Sequence, residues 1–429
     1  MERKVKIIGA GLAGVEAAYY LSKAGIEVDL YEQRPVKSTG AHHTDLFGEL
    51  VCSNSLKSFR LDNACGLLKE EMRHMGSLTM EVAEMTKVPA GNALSVDREQ
   101  FAQMLTERIL SLPNVHVHRE EVKEFADDDW VIVASGPLTS PDLLSFLEKK
   151  TGEKMFSFFD ACSPIVELQS VDMTKAYFKS RYEQGDDSYL NCAMNQEQYE
   201  KFYDALIHAE RALTHEMDTH YFEGCMPIEV MAERGEKTLR YGPLKPMGLR
   251  RTPEDRPYAV VQLRQDNVAG NLYNIVGFQT NLTYAEQKRV FSLIPGLEHA
   301  EYVRFGLMHR NTYICAPKHL SNDLSLKVLP NCFIAGQLSG VEGYVESACF
   351  GILAAYFIEK KMKGETVSLP PLDTMCGSLL HYLSFCTPSM FAPMNANFGI
   401  LYGAKKDKME TSKQALLSLD TWWRMAHGG

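Results

Sequence analysis

Residues 41–58, AHHTDLFGELVCSNSLKS, bring together side chains that can do chemistry. The segment holds two adjacent histidines, His42 and His43, an acid and Cys52 among small polar residues, and it follows neither a helical nor a strand periodicity. This pattern is typical of a loop in the interior of an enzyme. Because a cysteine reacts as its thiolate, Cys52 needs a nearby cation or helix N-terminus to be reactive.

The elements that must position this loop begin with a βαβ unit at the start of the chain. An apolar strand over 5–8 leads into GAGLAG, an alanine-rich helix runs to about Ala24, and a second strand ends at Glu32. The glycines of this GxGxxG pattern allow a tight turn, close approach of a pyrophosphate and close helix–strand packing. A carboxylate at the end of the second strand can accept hydrogen bonds from a ribose. The unit predicts a dinucleotide site made of Gly9, Ala10, Gly11, Leu12, Ala13, Gly14 and Glu32.

Three later stretches favour FAD over NAD as the dinucleotide. DDWVIVASGP (128–137) predicts a strand that closes on a glycine turn, and LSVDREQFAQML (94–105) places an arginine at a helix start. Residues 331–361 predict a strand, a glycine turn and a long helix whose N-terminus faces the flavin pyrimidine. Many flavoproteins have Asp after that glycine, where this chain has Gln337. The further residues predicted to bind FAD are Arg98, Gly136, Gly336, Gln337, Gly343 and Tyr344.

Together these elements predict an α/β fold, a two-segment Rossmann-like FAD-binding domain with an inserted α+β domain. The expected boundaries give a first FAD segment at 1–155, an insertion at 156–304 and a second FAD segment at 305–429. The insertion has strand-like runs such as 258–265 and a helical run over 195–213, and we expect it to supply the substrate side of the cleft.

Composition and charge exclude several classes of function. The chain has 429 residues, 45% of them hydrophobic, and no apolar run reaches the roughly 18 residues of a membrane helix. The chain enters a strand without a signal peptide, so we expect a cytoplasmic protein. Its ten cysteines form no CxxC pair, and HEMDTH (215–220) is not the zinc motif HExxH, so no metal is expected. The net charge of −10 argues against nucleic acid, but residues 234–256 hold seven Lys and Arg against three acids.

Long motifs that the fold does not dictate run through the whole chain, among them AHHTDLFGELVCSNSLKS, YFEGCMPIEVMAERG, RPYAVVQLRQDN, YNIVGFQTNLTYAEQK, GVEGYVESA and PMNANFG. With these motifs the sequence resembles the folate- and FAD-dependent tRNA (uracil-5-)-methyltransferase family, often called TrmFO or Gid. That family shares the plan of its FAD domain with the larger wobble-uridine flavoprotein GidA. The resemblance implies formation of 5-methyluridine in the T-loop of tRNA. It also implies carbon from 5,10-methylenetetrahydrofolate and electrons from reduced FAD that NADPH or NADH recharges.

The resemblance further implies two catalytic cysteines, which match Cys52 in LVCSNS and Cys225 in EGCMP. Carbon 5 of uracil is a poor nucleophile, and a thiolate added at carbon 6 makes it reactive, after which a base must remove the carbon 5 proton. We favour Cys225 as the nucleophile and Cys52 as the base, with the reverse assignment open. Lys57 and Arg264 are the candidate cations that activate a thiol.

The other candidate site residues each keep a structural alternative. Three roles are open for His42 and for His43. Each orients the thiol, contacts folate, or is a hydrogen-bonded structural residue. Tyr344 stacks on flavin or pteridine, or is a core tyrosine. We expect the cations of 234–256 to contact RNA phosphates, and the target uridine to be flipped out of its loop. The residues predicted to contact folate or RNA are His42, His43, Lys179, Arg181, Arg264 and His309.

Three other functions stay open at this point. A second branch of the family methylates ribosomal RNA, and the presence of Cys52 in VCSNS favours the tRNA branch. A plain FAD-dependent NAD(P)H oxidoreductase would need neither the thiols nor the basic stretch. An RNA-binding protein with a structural FAD would show no turnover with folate. The sequence leaves open the oligomeric state and the choice between NADH and NADPH.

Overall fold

The computed structural model describes residues 4–181, 188–212 and 226–428, without the side chains of residues 158–160 and 309. The strands of these ranges are β1 Lys4–Ile8, β2 Glu27–Tyr31, β3 Ser55–Ser58, β4 Lys87–Val88, β5 Ala93–Val96, β6 Val115–His118, β7 Val131–Val133, β8 Phe156–Ala161, β9 Ile165–Glu167, β10 Ala176–Phe178, β11 Tyr189–Met194, β12 Ala259–Gln265, β13 Leu272–Ile275, β14 Tyr302–Arg304, β15 Met308–Tyr313, β16 Ser325–Leu326 and β17 Leu329–Ile334.

The α-helices of the same ranges connect and cover these strands. They are α1 Leu12–Lys23, α2 Ala64–His74, α3 Leu78–Met85, α4 Arg98–Leu110, α5 Pro141–Thr151, α6 Gln196–Ile207, α7 Ile228–Glu233, α8 Thr238–Tyr241, α9 Tyr284–Phe291, α10 Ala316–His319, α11 Tyr344–Lys363, α12 Met375–Phe385 and α13 Lys408–Ala426. None of these described helices is long and apolar enough to cross a membrane. Across the same part of the chain, no group of three or more His, Cys, Asp or Glu side chains is arranged to hold a metal ion.

The first sheet unites the two ends of the chain. Its strand order is β16-β17-β7-β1-β2-β6, and all neighbours are parallel except β16 and β17. Ile132 of β7 lies between Ile7 of β1 and Phe333 of β17, and all three side chains are fully buried. Because β17 comes from the second segment, the sheet requires both segments, as expected for a two-segment Rossmann-like fold.

Helices α1 and α11 cross on one face of this sheet at very close range. A Cβ at Gly351 of α11 would lie 2.2 Å from the carbonyl oxygen of Ala13, so only glycine allows this approach. The contact fixes the start of α1 against the helix that carries Tyr344 at its N-terminus.

The second sheet is antiparallel, in the order β10-β11-β12-β13-β9-β14, and covers a hydrophobic core of its own. Strands β8 and β15, which pair antiparallel, flank it in sequence. The helical run predicted over 195–213 was too long, because α6 ends at Ile207 and Arg211 forms a β-bridge with Leu282. We propose that the FAD-domain segments 1–155 and 305–429 and the insertion 156–304 are separate folding units, each around one of the two cores.

A small third sheet, β3-β5-β4, follows the loop that carries Cys52. Strand β3 has an irregular register between Ser55 and Ser58, and Lys57 within it adopts a positive φ of 63°. A non-glycine residue in this conformation costs free energy, so the surrounding contacts must hold Lys57 in place.

Candidate active site

A cavity of about 1050 Å³, including its open mouth, lies where the parallel strands β1, β2, β7 and β17 end. Its lining includes the residues that follow each of these strands, namely Gly9, Gly11, Glu32, Gln33, Ser135, Gly136, Gly336 and Gln337, together with Tyr344 of α11. Ligands of open parallel sheets bind at the carboxyl ends of the strands. The position and volume are those of a dinucleotide site.

The turn between β1 and α1 forms a cradle that only glycines permit. Gly9 has a φ of +102°, and a Cβ there would lie 2.6 Å from the carbonyl oxygen of Ala134. A Cβ at Gly14 would lie 1.8 Å from the carbonyl oxygen of Gly9. A Cβ at Gly11, by contrast, would meet no atom within 4 Å, and Gly11 caps α1 without a side-chain hydrogen bond. The free N–H groups of α1 and the space beside Gly11 fit a pyrophosphate.

Glu32 lies at the end of β2, as predicted, and is held by two groups. Its Oε2 accepts a hydrogen bond from the Ala10 N–H at 3.1 Å, and its Oε1 accepts one from the Arg34 Nε at 2.9 Å. Burial alone would raise the pKa of the Glu32 carboxyl, but the hydrogen bonds and charge of Arg34 leave that pKa below its ordinary value. Glu32 is therefore an ionised hydrogen-bond acceptor in the lining of the cavity.

Arg34 ties Glu32 to the loop that carries Cys52. Its Nη1 donates to the Glu49 carboxylate at 3.0 Å and to the Thr44 carbonyl at 3.0 Å, and its side chain is only 4% exposed. Glu49 in turn accepts the backbone N–H groups of His43 and Thr44. The early part of the loop is thus fixed to the end of β2.

Tyr344 at the start of α11 anchors the Cys52 backbone. Its hydroxyl oxygen accepts the N–H of Cys52 at 2.7 Å and the N–H of Ser53 at 3.3 Å. Burial and the neighbouring Cys52 raise the pKa of Tyr344, so the phenol stays protonated. The loop that carries Cys52, here called the thiol loop, therefore meets the N-terminus of α11 beside the cavity, which Tyr344 lines.

The Cys52 side chain is half-buried. Its Sγ lies 3.6 Å from the carbonyl oxygen of Ala161, at the end of β8, and the neighbouring Cys162 Sγ donates to the Val51 carbonyl at 3.3 Å. Cys225, the second predicted catalytic cysteine, lies outside the described residues.

Arg264 of β12 reaches the thiol loop from the insertion. Its Nη2 donates to the Ser53 Oγ at 2.7 Å and to the Asn54 Oδ1 at 2.9 Å, and the residue is only 8% exposed. Burial lowers the pKa of Arg264, yet a guanidinium stays charged at neutral pH. This positive charge is hydrogen-bonded to Ser53, the residue that follows Cys52 in the loop.

Lys57, the other candidate for thiol activation, is directed at α11. Its Nζ lies 3.4 Å from the Glu346 Oε1, which also accepts the Ala396 N–H at 2.9 Å. Although burial lowers the pKa of Lys57, the charge of Glu346 raises it above its ordinary value. Because Arg264 binds the residue next to Cys52 and Lys57 pairs with an acid, we rank Arg264 first as the activating cation.

Arg98 lies at the start of α4, as predicted, but its contacts join the two parts of the molecule. Its Nη2 and Nε donate to the Asp266 carboxylate at 3.0 and 3.3 Å, and its Nη1 donates to the Leu50 carbonyl. Burial lowers the pKa of Arg98, but Asp266 raises it above its ordinary value. Arg98 thus holds the thiol loop in place through its hydrogen bond to the Leu50 carbonyl.

The predicted substrate residues occupy different places. His42 lines the cavity, and its Nδ1 lies 2.6 Å from the Thr39 Oγ1. Burial, with the charge of Arg304, lowers the pKa of His43. Lys179 directly follows β10, and Arg181 directs its guanidinium at the carbonyl oxygens of Lys245 and Met247, at 3.0 and 2.6 Å. The side chain of His309 is outside the described part of the structure.

Sequence reasoning missed the residues that hold the loop, chiefly Arg34, Glu49 and Asp266. Arg34 had a local signal, because it lies only two residues after Glu32 and carries the opposite charge. Asp266 had none, since it lies 168 residues from its partner Arg98.

Comparisons with known proteins show the family to which this chain belongs. The family model for glucose inhibited division protein A matches residues 4–366. The methylenetetrahydrofolate--tRNA-(uracil-5-)-methyltransferase TrmFO of Desulforudis audaxviator is 56% identical over 405 residues, which cover 93% of this chain and 92% of that protein. The protein of the same name from Desulforamulus reducens is 53% identical over 431 residues and is covered to 98%, as is this chain.

Two solved structures of Aquifex aeolicus GidA share the fold. The form II crystal gives a TM-score of 0.73 at 15% identity and covers 99% of this chain and 73% of that chain. The form I crystal gives 0.73 at 16% identity, with 99% and 76% covered. The predicted Rossmann-like α/β fold is confirmed by this likeness. By sequence, this chain belongs to the methylenetetrahydrofolate--tRNA-(uracil-5-)-methyltransferase TrmFO family, within the wider glucose inhibited division protein A family.

Proposed function

We propose that this chain forms 5-methyluridine in the T-loop of tRNA. The carbon comes from 5,10-methylenetetrahydrofolate, and the electrons come from FAD that NADPH or NADH recharges. The names of relatives that are more than half identical support the substrates. The structural observation that carries the proposal is the anchoring of the Cys52 backbone to Tyr344, at one end of the dinucleotide cavity. We place the activity in the cytoplasm, where tRNA is modified.

The residues around the cavity fit FAD. The glycine turn and the N-terminus of α1 would hold its pyrophosphate, Glu32 its ribose, and the residues after β7 and β17 its flavin end. When bound, FAD would supply the hydride chemistry of the reaction. Of the predicted FAD residues, Arg98 acts through the thiol loop, because its donors bind Asp266 and Leu50.

The protein's own chemistry is that of two thiols. Addition of a thiolate to carbon 6 of uracil forms a carbon–sulfur bond and moves an electron pair toward the carbonyl oxygen, which makes carbon 5 nucleophilic. Carbon 5 then bonds to the one-carbon unit, and a base takes the carbon 5 proton. The electron pair left by that proton expels the folate nitrogen as the carbon–nitrogen bond breaks, and a hydride that bound FAD would supply completes the methyl group as the thiolate leaves carbon 6. We assign the addition to Cys225 and the proton transfer to Cys52. Arg264 and the Tyr344 hydroxyl hold the Cys52 loop during these steps.

An assay of label transfer tests the proposal. The full-length protein is incubated with FAD, NADPH, methylenetetrahydrofolate labelled in the transferred carbon, and either a T-loop-containing tRNA or ribosomal RNA. We expect label in 5-methyluridine of the tRNA. Label in ribosomal RNA alone would support the ribosomal branch, and NADPH oxidation without label in either RNA would support a plain oxidoreductase. Binding of RNA without turnover of folate would support an RNA-binding protein with structural FAD.

A further inference from the structure

A short stretch of the insertion has a net positive charge, opposite in sign to that of the whole chain. Residues 237–251, here called the basic segment, hold five Lys and Arg and no Asp or Glu, in a chain whose net charge is −10. The segment comprises helix α8 and the turns after it. A local excess of positive charge on an acidic protein attracts anionic partners to that place.

The structure separates the cations of this segment into two groups. Arg240 donates its Nε to the Tyr258 carbonyl at 2.9 Å and stacks on the Tyr258 ring at 3.3 Å from its centroid, while Arg251 donates to the Thr174 carbonyl at 3.0 Å. The side chains of these two arginines therefore stabilise the fold of the segment. Within the described residues, no acidic partner pairs with Lys237, Lys245 or Arg250. Three positive charges are therefore available to a ligand.

Two large side chains of the segment are exposed beside these charges. Tyr241 is 79% exposed and Met247 is 60% exposed. Arg181 holds the turn below them, because it donates to the carbonyl oxygens of Lys245 and Met247 and to the Gln262 side chain. An exposed aromatic ring among unpaired cations is the arrangement on which unpaired nucleotide bases stack while phosphates meet the cations.

Strand β12 connects the basic segment to the thiol loop. The N–H of Val260, near the start of β12, donates to the Leu244 carbonyl at 3.0 Å, and Arg264, near its end, donates to Ser53. The four residue steps from Val260 to Arg264 span roughly 13 Å at about 3.3 Å per residue. That distance equals about four steps of stacked nucleic acid at about 3.4 Å each. One folded RNA loop can thus reach both places.

We propose that the basic segment is the docking surface for the RNA substrate. Lys237, Lys245 and Arg250 bind phosphates outside the reacting nucleotide, and Tyr241 stacks on an unpaired base. The inference rests on the proposed function, since it takes the RNA to be the substrate of that reaction. We also infer that Arg181 holds the basic segment in place, through the Lys245 and Met247 carbonyls, instead of contacting phosphate.

A charge-removal experiment tests the surface. The variant K237A/K245A/R250A is compared with K149A/K154A/K413A, which removes three charges from exposed lysines outside the basic segment that likewise have no acidic partner among the described residues. The dissociation constant for T-loop-containing tRNA is measured by fluorescence anisotropy on the FAD-bound protein at several salt concentrations. We expect the first variant to bind ~10- to 100-fold more weakly, with a salt dependence shallower by about 2 to 3. The control should bind as the wild-type protein does.

Each outcome decides a different point. Equal binding by the first variant and the wild type, or equal weakening in both triple variants, would overturn the docking surface. Failure of the wild-type protein to bind any RNA would overturn the proposed function itself. Tyr241→Ala and Tyr241→Phe give a second measure that does not depend on charge. We expect several-fold weaker binding from the first and wild-type binding from the second, and equal binding by both would remove Tyr241 from the surface. Retained flavin absorbance and unfolding temperature show that each variant is folded.

Discussion

The surroundings of the dinucleotide turn and the loop that carries Cys52 are held by different kinds of contact. Around the turn, the fixed parts are backbone approaches that only glycine allows, at Gly9, Gly14 and Gly351. At the loop, the fixed parts include buried guanidinium groups, Arg98 and Arg264, that bind acceptors from distant parts of the chain. Backbone approaches define where a dinucleotide fits, whereas the guanidinium groups define where the thiol lies.

The largest expected effect is on the backbone side. Gly14→Ala places a Cβ 1.8 Å from the Gly9 carbonyl oxygen, which forces α1 away from β1. We expect destabilisation of more than about 3 kcal/mol, measured by urea unfolding, and loss of bound flavin.

Gly11→Ala is the matched control for this change. The new Cβ meets no protein atom within 4 Å, so the protein should unfold at nearly the wild-type temperature and yet lose flavin, because the methyl group fills the pyrophosphate space. Full flavin occupancy in Gly11→Ala would contradict the proposed cradle.

The next effect is on the guanidinium side. Asp266→Ala leaves Arg98 buried without its carboxylate, and breaking such a buried pair costs about 3 to 5 kcal/mol. Urea unfolding measures the loss. Glu197→Ala, which breaks the exposed Lys201 pair on α6, is the control and should cost less than about 1 kcal/mol. Equal losses in the two variants would mean that the Arg98 pair is not buried as described.

A smaller effect is expected where the two sides meet. Tyr344→Phe removes the acceptor of the Cys52 and Ser53 N–H groups, and leaving buried donors unsatisfied costs about 1 to 3 kcal/mol. We expect a ~10-fold or greater loss in the rate of label transfer to tRNA, with flavin still bound. A wild-type rate would show that the phenol does not position the thiol loop.

The smallest effect concerns pH. The pKa of Glu32 is below its ordinary value in the folded protein, so Glu32 contributes stability above the unfolded pKa, and this contribution is lost as pH falls through the folded pKa. Flavin-free protein should therefore lose stability between pH 6 and pH 3, to an extent that Glu32→Gln reduces. Urea unfolding across this range checks the expectation, and identical slopes for both proteins would contradict it.

The same contrast explains what the sequence could predict. The glycine turn, Glu32 and the late helix that carries Tyr344 are local patterns, and the structure has them where the pattern indicated. The partner of Arg98 and the carbonyl partners of Arg181 are contacts between segments far apart in the chain, which no local pattern contains. Residue type indicated a phosphate contact at Arg181, and its hydrogen bonds to the Lys245 and Met247 carbonyls lead us to propose that it holds a turn.

Removal of the Cys52 thiol tests the proposed thiol chemistry most directly. Cys52→Ala is compared with Cys386→Ala, which removes the other half-buried cysteine among the described residues. Label from methylenetetrahydrofolate is counted in tRNA 5-methyluridine, and bound flavin is measured by absorbance. We expect bound flavin in both variants, wild-type label with Cys386→Ala and no label with Cys52→Ala. Full label transfer by flavin-bound Cys52→Ala would contradict the proposed thiol chemistry.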